Sequence, residues 1–327
     1  MESPASRSCP RCGAPRAPAP ECPQCGVYYF KAEARAAPVH RAAQTEEPAP
    51  LMETPAFPTT QPWVWKGDAE DALREVIIRA FALPTALLLM WLICSSGVGR
   101  MLVRTFLSMW LHELGHAATA WLCGYTAFPM PWFTSVSPAR SPFFSVLLAG
   151  AFGLLAYRGW KRSHRPMLIA GLVLLCLQFI GTVVVRSHGA RALITFGGDG
   201  GGMILGTLLM ATLYSQKGSS LHEGWLRWGF LVIGAASFVD IFMVWRDARN
   251  NFGSIPFGQN EGSGASDPSV LSDTFGWSVN TMVARYMNLA WTCLAVLGGL
   301  YALGLYRARR GLVRLNVIPG GAGVDGP

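Results

Sequence analysis

Long apolar runs are the feature that most constrains how this chain folds. A bilayer core about 30 Å thick requires a helix of about 20 mostly apolar residues. A membrane span is helical because lipid offers no hydrogen-bond partners to the backbone. Seven segments of the sequence meet this requirement, over residues 77–95, 101–123, 142–157, 167–185, 192–214, 225–245 and 283–305. We therefore expect an all-α polytopic membrane protein with about seven transmembrane helices.

The charge distribution supports the same interpretation. Only 14% of the residues are charged, whereas soluble proteins average about 25%. The net charge is +8, and the basic residues lie before the first apolar run, between runs and after the last run. This distribution is typical of membrane topology signals rather than of a DNA-binding face. The lipid bilayer is therefore an expected partner, and nucleic acid is not.

The same basic residues predict the orientation of the chain. Those before the first run favour a cytoplasmic N-terminus. With seven spans, however, the arginines after the last run would lie on the opposite side of the membrane. Either one run is re-entrant or the polar loop over residues 246–282 contains a further crossing. Residues 124–141, which are apolar, aromatic and interrupted by three prolines, are a candidate re-entrant segment.

Four cysteines near the N-terminus form two CxxC pairs, Cys9 with Cys12 and Cys22 with Cys25, and nine residues separate the pairs. Four thiolates at this spacing close a tetrahedral structural zinc site, and the glycine after each pair eases the tight turn. Because so short a stretch cannot bury a core, the metal would supply the folding free energy. The sequence therefore predicts a zinc ribbon over residues 1–30, which resembles the small ribbons that dock a protein partner.

One apolar run contains an HExxH motif, formed by His112, Glu113 and His116. Helical positions four apart lie one above the other, so both histidines can bind a single Zn²⁺ at about 2.0–2.1 Å. Glu113 projects beside them, where it can take a proton from zinc-bound water. Each of these polar residues costs about 2–3 kcal/mol in hydrocarbon. A bound metal explains why three of them lie on one face of a membrane helix.

The string His112–Ala117 (HELGHA) within an apolar helix resembles the site-2 protease family of intramembrane zinc metalloproteases. The resemblance implies hydrolysis of peptide bonds in or near the transmembrane segment of a membrane-protein substrate. It also implies that Asp199, in the Asp-Gly string over residues 196–202, is the third zinc ligand. Residues 193–195 (Leu-Ile-Thr) replace the family's Asn and Pro. Two predicted spans rather than one separate the motifs, so the two motif helices would run antiparallel.

The third ligand has alternatives. Two histidines leave a catalytic zinc short of the three protein ligands that are usual. Asp240 lies deep in an apolar run, where an unpaired carboxylate is costly, and it is the alternative third ligand to Asp199. A ligand elsewhere, such as Asp247, is the remaining possibility.

Glycines surround the aspartate of the Asp-Gly string. Gly198, Gly202 and Gly206 recur every four residues, which is the spacing that lets membrane helices pack closely. Glycine also lets a backbone approach a metal and lets a helix unwind to admit substrate. Gly198, Gly200 and Gly201 are therefore candidate substrate-binding residues.

Together these observations predict an intramembrane zinc metalloprotease that holds two zinc ions, one catalytic and one structural, in a bacterial inner membrane. The predicted divisions are the zinc ribbon, a flexible linker over residues 31–75, a transmembrane metalloprotease-like domain over residues 76–310 and a C-terminal tail over residues 311–327. The alternative is a non-proteolytic zinc-binding membrane sensor, transporter or scaffold. Zinc binding alone does not require Glu113, which favours the protease.

Replacing Cys9 and Cys12 together with serine should unfold the ribbon and leave the second metal site loaded, because the double variant removes half of one ligand set only. Metal analysis of the purified protein should find two zinc ions per chain in the wild type and one in the variant. One zinc ion in both proteins would contradict the predicted ribbon.

Overall fold

The computed structural model describes residues 8–9, 11–29, 66–215, 219, 224–260 and 264–314. These residues belong to two compact units, and the boundary between the units follows residue 62. The predicted linker lies outside the described residues up to residue 65, and its last part, residues 66–75, is helical. Of the predicted C-terminal tail, residues 311–314 continue the last helix, and residues 315–327 lie outside the described residues.

The first unit consists of two similar turns. Antiparallel bridges join Ser8 with Pro15 and Glu21 with Tyr28, and each bridge closes a turn that contains one cysteine pair. The glycines that follow the pairs have φ of +73° and +65°, a left-handed conformation that favours glycine. Tyr29 is buried against two of the cysteines and forms the small core of the unit.

The second unit is a helical bundle with a β-hairpin. Its helices are α1 (Lys66–Cys94), α2 (Gly97–Val103), α3 (Met109–Leu122), α4 (Pro142–Lys161), α5 (Arg165–Phe179), α6 (Ser187–Ala211), α7 (Leu226–Ala248), α8 (Asp267–Asp273) and α9 (Val279–Arg314). One π-helical turn joins α2 to α3 (Arg104–Ser108), another extends α5 (Ile180–Val184), and 3-10 turns lie at Thr212–Tyr214 and Phe252–Ser254. The hairpin pairs β1 (Tyr125–Pro129) with β2 (Thr134–Arg140), and a minimal second hairpin pairs β3 (Gln259–Asn260) with β4 (Gly264–Ala265).

Six helical segments of the described chain are long and apolar enough to span a membrane, in agreement with an integral membrane protein. They are Glu70–Cys94, Pro142–Lys161, Arg165–Val184, Ser187–Tyr214, Leu226–Ala248 and Val279–Val313. The seventh predicted span, over residues 101–123, falls on α2, the π-helical turn and α3, which are less apolar because they carry arginine, histidine and glutamate. Seven spans are therefore not confirmed. Residues 124–141, the candidate re-entrant segment, form the β1–β2 hairpin.

Helices α6 and α7 lie at the centre of the bundle. Within an apolar 18-residue stretch of each, 56% and 61% are buried, against 22% for the corresponding stretches of α1 and α9. Their side chains form the largest core cluster, with Trp245 of α7 stacked on Tyr286 of α9 at a ring distance of 4.0 Å. Helices α4 and α5 pack on each other and are only 11% and 17% buried. Most of the apolar surface of α4 and α5 is therefore not covered by other helices.

Helices α3 and α6 approach each other too closely to admit side chains. A Cβ atom at Gly115 would overlap the carbonyl oxygen of Gly197, and a Cβ atom at Gly201 would lie 2.5 Å from Gly115 Cα. A Cβ atom at Gly197 would in turn overlap the hydroxyl of Thr119. Later residues of α3 therefore contact earlier residues of α6, so α3 and α6 run antiparallel. Helices α4 and α5 lie between them in the chain, which agrees with this orientation.

An arginine fixes one end of the bundle. The guanidinium of Arg79 in α1 donates to the carbonyl oxygens of Ser215 (3.1 Å) and Gly304 (3.5 Å) and pairs with Glu75 at 2.7 Å. Glu75 also pairs with Arg227 at 3.3 Å. Four segments therefore lie at the same end of the bundle. They are the first half of α1, Ser215 after α6, the start of α7 and the last part of α9.

The substitution Gly115→Ala should destabilise the bundle by about 1–3 kcal/mol, because the new methyl group forces α3 and α6 apart. Thermal unfolding of the purified protein in detergent measures the effect. Gly150→Ala is the matched control, since a Cβ atom there meets nothing within 4 Å. Equal unfolding temperatures for the two variants would contradict the close packing of α3 and α6.

Candidate metal centre

Both histidines of the HExxH motif project from α3 with their Nδ1 atoms bonded to α6. His112 Nδ1 lies 2.9 Å from Asp199 Oδ1, and His116 Nδ1 lies 2.7 Å from the carbonyl oxygen of Ile194. An Nδ1–H group that donates to an oxygen leaves Nε2 of the same ring as a ligand atom. The two Nε2 atoms are 3.2 Å apart, so the structure brings the histidines together as their spacing predicts.

The third group at this point is Asp267, the first residue of α8. Its Oδ2 atom lies 3.2 Å from His112 Nε2 and 3.1 Å from His116 Nε2. This oxygen is buried and has no hydrogen-bond partner in the part of the chain that the structure describes. Within that part, His112, His116 and Asp267 form one of two groups able to hold a metal ion. Three lone pairs facing one another are stabilised by a cation between them.

The distances among these three atoms fit zinc. Tetrahedral ligands at about 2.0–2.1 Å from a zinc ion lie about 3.3 Å from each other, and the three distances here are 3.1, 3.2 and 3.2 Å. Two histidines and one carboxylate are also a usual ligand set of catalytic zinc, with the fourth position left for water or substrate. The residues present therefore fit a zinc ion.

Asp199, the third ligand that the site-2 protease resemblance implies, lies behind His112. Its Oδ1 atom faces His112 Nδ1, and its Oδ2 atom accepts a hydrogen bond from the indole N–H of Trp245 at 2.8 Å. A carboxylate in this position orients a histidine ligand and raises its basicity. The structure brings Asp199 to the site but not into the group of ligand atoms, and the geometry favours Asp267 as the third ligand.

Asp240, the alternative third ligand, pairs with arginines and is only 1% exposed. Its Oδ2 atom lies 3.2 Å from Arg104, and its Oδ1 atom lies 3.6 Å from Nε of Arg100. Arg104 also lies 3.4 Å from Asp199. Thus a chain of alternating charge runs through Arg100, Asp240, Arg104 and Asp199 and ends beside the candidate metal ligand His112.

Glu113 is buried, and the hairpin holds its carboxylate. The hydroxyl of Thr134, the first residue of β2, lies 2.7 Å from Glu113 Oε2 and 2.9 Å from the Glu113 carbonyl oxygen. The guanidinium of Arg140, the last residue of β2, donates to three carbonyl oxygens at the end of α5. The orientation of the Glu113 side chain therefore depends on the hairpin as well as on α3.

The three glycines predicted to bind substrate have different surroundings. A Cβ atom at Gly198 would lie 2.5–2.7 Å from atoms of all three candidate metal ligands, so only glycine leaves the space that a metal ion needs. Gly200 faces the ring of Phe196, and Gly201 faces α3. Substrate binding by these glycines stays a prediction. Helix packing accounts for Gly206, which closely approaches Gly234 of α7.

A cavity of about 870 Å³ opens beside the metal centre. It runs along α2, the π-helical turn and α3, and the aromatic residues Trp132 and Phe133 at the tip of the hairpin also line it. Single π-helical turns are frequent at functional sites. The charged residues that line the cavity are Arg100, Arg104, Glu113, Asp199, Asp240 and Asp267.

The four cysteines of the first unit form the second group able to hold a metal ion. The sulfur atoms of Cys9 and Cys25 are 3.8 Å apart, and those of Cys12 and Cys22 are 3.7 Å apart. The backbone N–H of Arg11 donates to Cys9 and lowers the pKa of its thiol below the usual value. A lowered pKa favours the thiolate, which is the form that binds metal.

Sequence reasoning missed several residues of this site. The sequence did offer a signal for Arg100 and Arg104, because these two arginines lie four residues apart in a predicted membrane span. For Asp267 the sequence indicates only the start of a helix, because the aspartate is followed by proline. This pattern does not distinguish a metal ligand from any other residue at a helix start. Asp247, suggested as an alternative ligand, pairs with its neighbour Arg246 at 2.7 Å and lies outside the metal group.

Comparisons of this chain with protein-family models, with curated proteins and with solved structures find no match. The resemblance to site-2 proteases therefore depends on the motif residues.

The substitution Asp267→Ala should abolish metal binding at the helical site, whereas Asp199→Asn should weaken binding about 10–100-fold by removing the partner of a ligand. Metal analysis and chelator competition measure both effects in a Cys9→Ser, Cys12→Ser background, where the first unit binds no metal. Asp247→Ala is the matched control. Full metal loss in Asp199→Asn with retention in Asp267→Ala would return the ligand role to Asp199.

Proposed function

We propose that this protein is an intramembrane zinc metalloprotease that hydrolyses a peptide bond in or near the transmembrane segment of a membrane-protein substrate. The observation that carries the proposal is the meeting of three ligand atoms, from His112, His116 and Asp267, at 3.1 to 3.2 Å next to the turn that bears Glu113. Three protein ligands leave one coordination position open, which is typical of catalytic rather than structural zinc.

The charges that line the cavity support a divalent cation. Four carboxylates and two guanidinium groups line it, and they leave two negative charges, which one Zn²⁺ neutralises. Unbalanced charge in a low-dielectric interior is costly. The metal-loaded site is therefore the electrically balanced one.

Peptide hydrolysis needs a base, a proton donor and a polarised carbonyl. Zinc held by the three ligands supplies Lewis acidity, which polarises the scissile carbonyl and lowers the pKa of water. Glu113 takes a proton as the water oxygen bonds to the carbonyl carbon, and it returns the proton to the amine nitrogen as the C–N bond breaks. Thr134 holds the carboxylate of Glu113 in place, and Asp199 keeps His112 in the tautomer that presents Nε2.

We further propose that the second unit crosses a bacterial inner membrane six times, with both of its ends on the cytoplasmic side. An even number of crossings puts the basic residues after α9, the basic loop between α4 and α5 and the basic N-terminal segment on one side, as the positive-inside rule requires. The contacts of Arg79 support this topology, because they join the first half of α1 to the last part of α9. In this topology the seventh predicted span, over residues 101–123, does not cross the membrane.

The metal of the first unit is proposed to be zinc as well. Thiolate ligands at about 2.3 Å around a tetrahedral zinc lie about 3.8 Å apart, and the two sulfur distances are 3.7 and 3.8 Å. Four protein ligands close the coordination sphere, so this zinc is structural. The ribbon then serves to dock a protein partner.

The substitution Glu113→Gln tests the proposed mechanism, because it removes the base and leaves all three candidate ligands intact. Purified wild-type protein in nanodiscs should cleave members of a library of single-span peptides, and a chelator should stop the cleavage. Glu113→Gln should retain zinc at the helical site and lose at least about a hundredfold in turnover.

Metal analysis of the same sample separates loss of the base from loss of the metal. The matched control is Glu70→Gln, which changes an exposed glutamate at the start of α1. Wild-type turnover by Glu113→Gln, or cleavage that survives complete metal removal, would refute the proposed function.

A further inference from the structure

Arg100 is the more weakly paired of the two arginines that line the cavity. Its Nε atom lies 3.6 Å from the carboxylate of Asp240, and the side chain is 33% exposed. Asp240 is already shared with Arg104, whose guanidinium lies within 3.4 Å of two aspartates. In the described part of the chain, the two terminal nitrogens of Arg100 have no hydrogen-bond partner.

An arginine in this setting points to an anion. Arg100 lines the cavity beside the candidate metal centre, and its cationic group attracts an anion that enters the cavity. The planar guanidinium presents two parallel N–H donors that match a carboxylate in bidentate geometry. Arg100 already has Asp240 behind its Nε atom, which orients the side chain and leaves the terminal nitrogens available.

We propose that Arg100 binds a carboxylate of the substrate and thereby selects where the substrate is cut. The inference rests on the proposed function and adds to it a substrate class, namely segments with an acidic residue near the scissile bond. Arg100 lines the same cavity as Glu113 and the metal ligands. A peptide that reaches the metal centre along this cavity therefore passes Arg100.

The distance between Arg100 and His112 limits how far the acidic residue of the substrate can lie from the scissile bond. Arg100 precedes His112 by 12 residues on one helical stretch, so their Cα atoms are at most about 18 Å apart. An extended peptide advances about 3.3 Å per residue. The carboxylate therefore lies within about five residues of the scissile bond.

The experiment compares single-span peptides that carry Asp or Asn at each of the five positions on either side of the cut. Purified full-length protein in nanodiscs cleaves them, and mass spectrometry locates the cuts. At one position, kcat/KM of the wild type should be about tenfold higher for Asp than for Asn, the usual effect of a charge-assisted hydrogen bond. Arg100→Gln should reduce this ratio to within about twofold, and Arg100→Glu should favour Lys over Asp at the same position.

Arg158→Gln is the matched control, since it removes an exposed arginine at the end of α4, and it should keep the tenfold ratio. Cleavage without an Asp preference, or with a preference that Arg100→Gln leaves unchanged, overturns the role of Arg100 and leaves the proposed function standing. Binding of phosphatidylglycerol that depends on Arg100, without an Asp preference, also overturns it, because the anion is then a lipid phosphate.

A binding measurement covers the case in which the wild type cleaves none of the peptides. Titration of the Asp and Asn peptides into Glu113→Gln, with and without Arg100→Gln, measures recognition without turnover. Tighter binding of Asp that is lost with Arg100→Gln supports the carboxylate site while the proposed function fails. Equal binding of both peptides refutes the carboxylate site and the proposed function together.

Discussion

The direct contact between the backbones of α3 and α6 is the constraint on which the site depends. Gly115, Gly197 and Gly201 meet there, and none of them has room for a Cβ atom. Because the backbones are so close, His116 Nδ1 reaches a carbonyl oxygen of α6, and His112 Nδ1 reaches Asp199. These two hydrogen bonds fix both rings so that their Nε2 atoms face each other at 3.2 Å beside Gly198. A wider separation of the helices would leave the imidazoles without fixed tautomers, and a metal site needs fixed lone pairs.

The parts of the site that lie within one element could be predicted from the sequence, and the parts joined by tertiary contacts could not. His112, Glu113 and His116 share about one turn of a helix, so their spacing alone brings them together, and the apolar runs gave the positions of six membrane-length helices. Asp267 is separated from His116 by four helices and both hairpins. Its local sequence resembles that of any aspartate at a helix start, and only the packing of α8 on the bundle distinguishes it. Residues 124–141 contain three prolines, which obscured the strand pattern, and the hairpin was expected as an irregular re-entrant segment.

Buried charges in the cavity have partners that could not be predicted from the sequence. Asp240 looked like a metal ligand because an unpaired carboxylate in an apolar run is costly, and the cost is in fact offset by Arg100 and Arg104. Trp245 is completely buried and donates to Asp199, a contact that the sequence does not indicate. Both assignments required knowledge of which helix faces which. Charge pairing between separate helices carries no local signal, so the sequence shows the charges but not the pairs.

A ligand supplied by α8 makes the metal centre depend on a segment outside the membrane-length helices. The segment is attached to the bundle by Leu271, which is completely buried, by Phe275 against His188 at a ring distance of 5.0 Å, and by Trp277 against Phe196 at 5.8 Å. These contacts hold Asp267 over the histidines with no contribution from α3. A metal bound by all three residues would link α8 to α3 and stabilise their arrangement by its binding free energy. By the same linkage, displacement of α8 from the bundle would weaken metal binding by the same free energy.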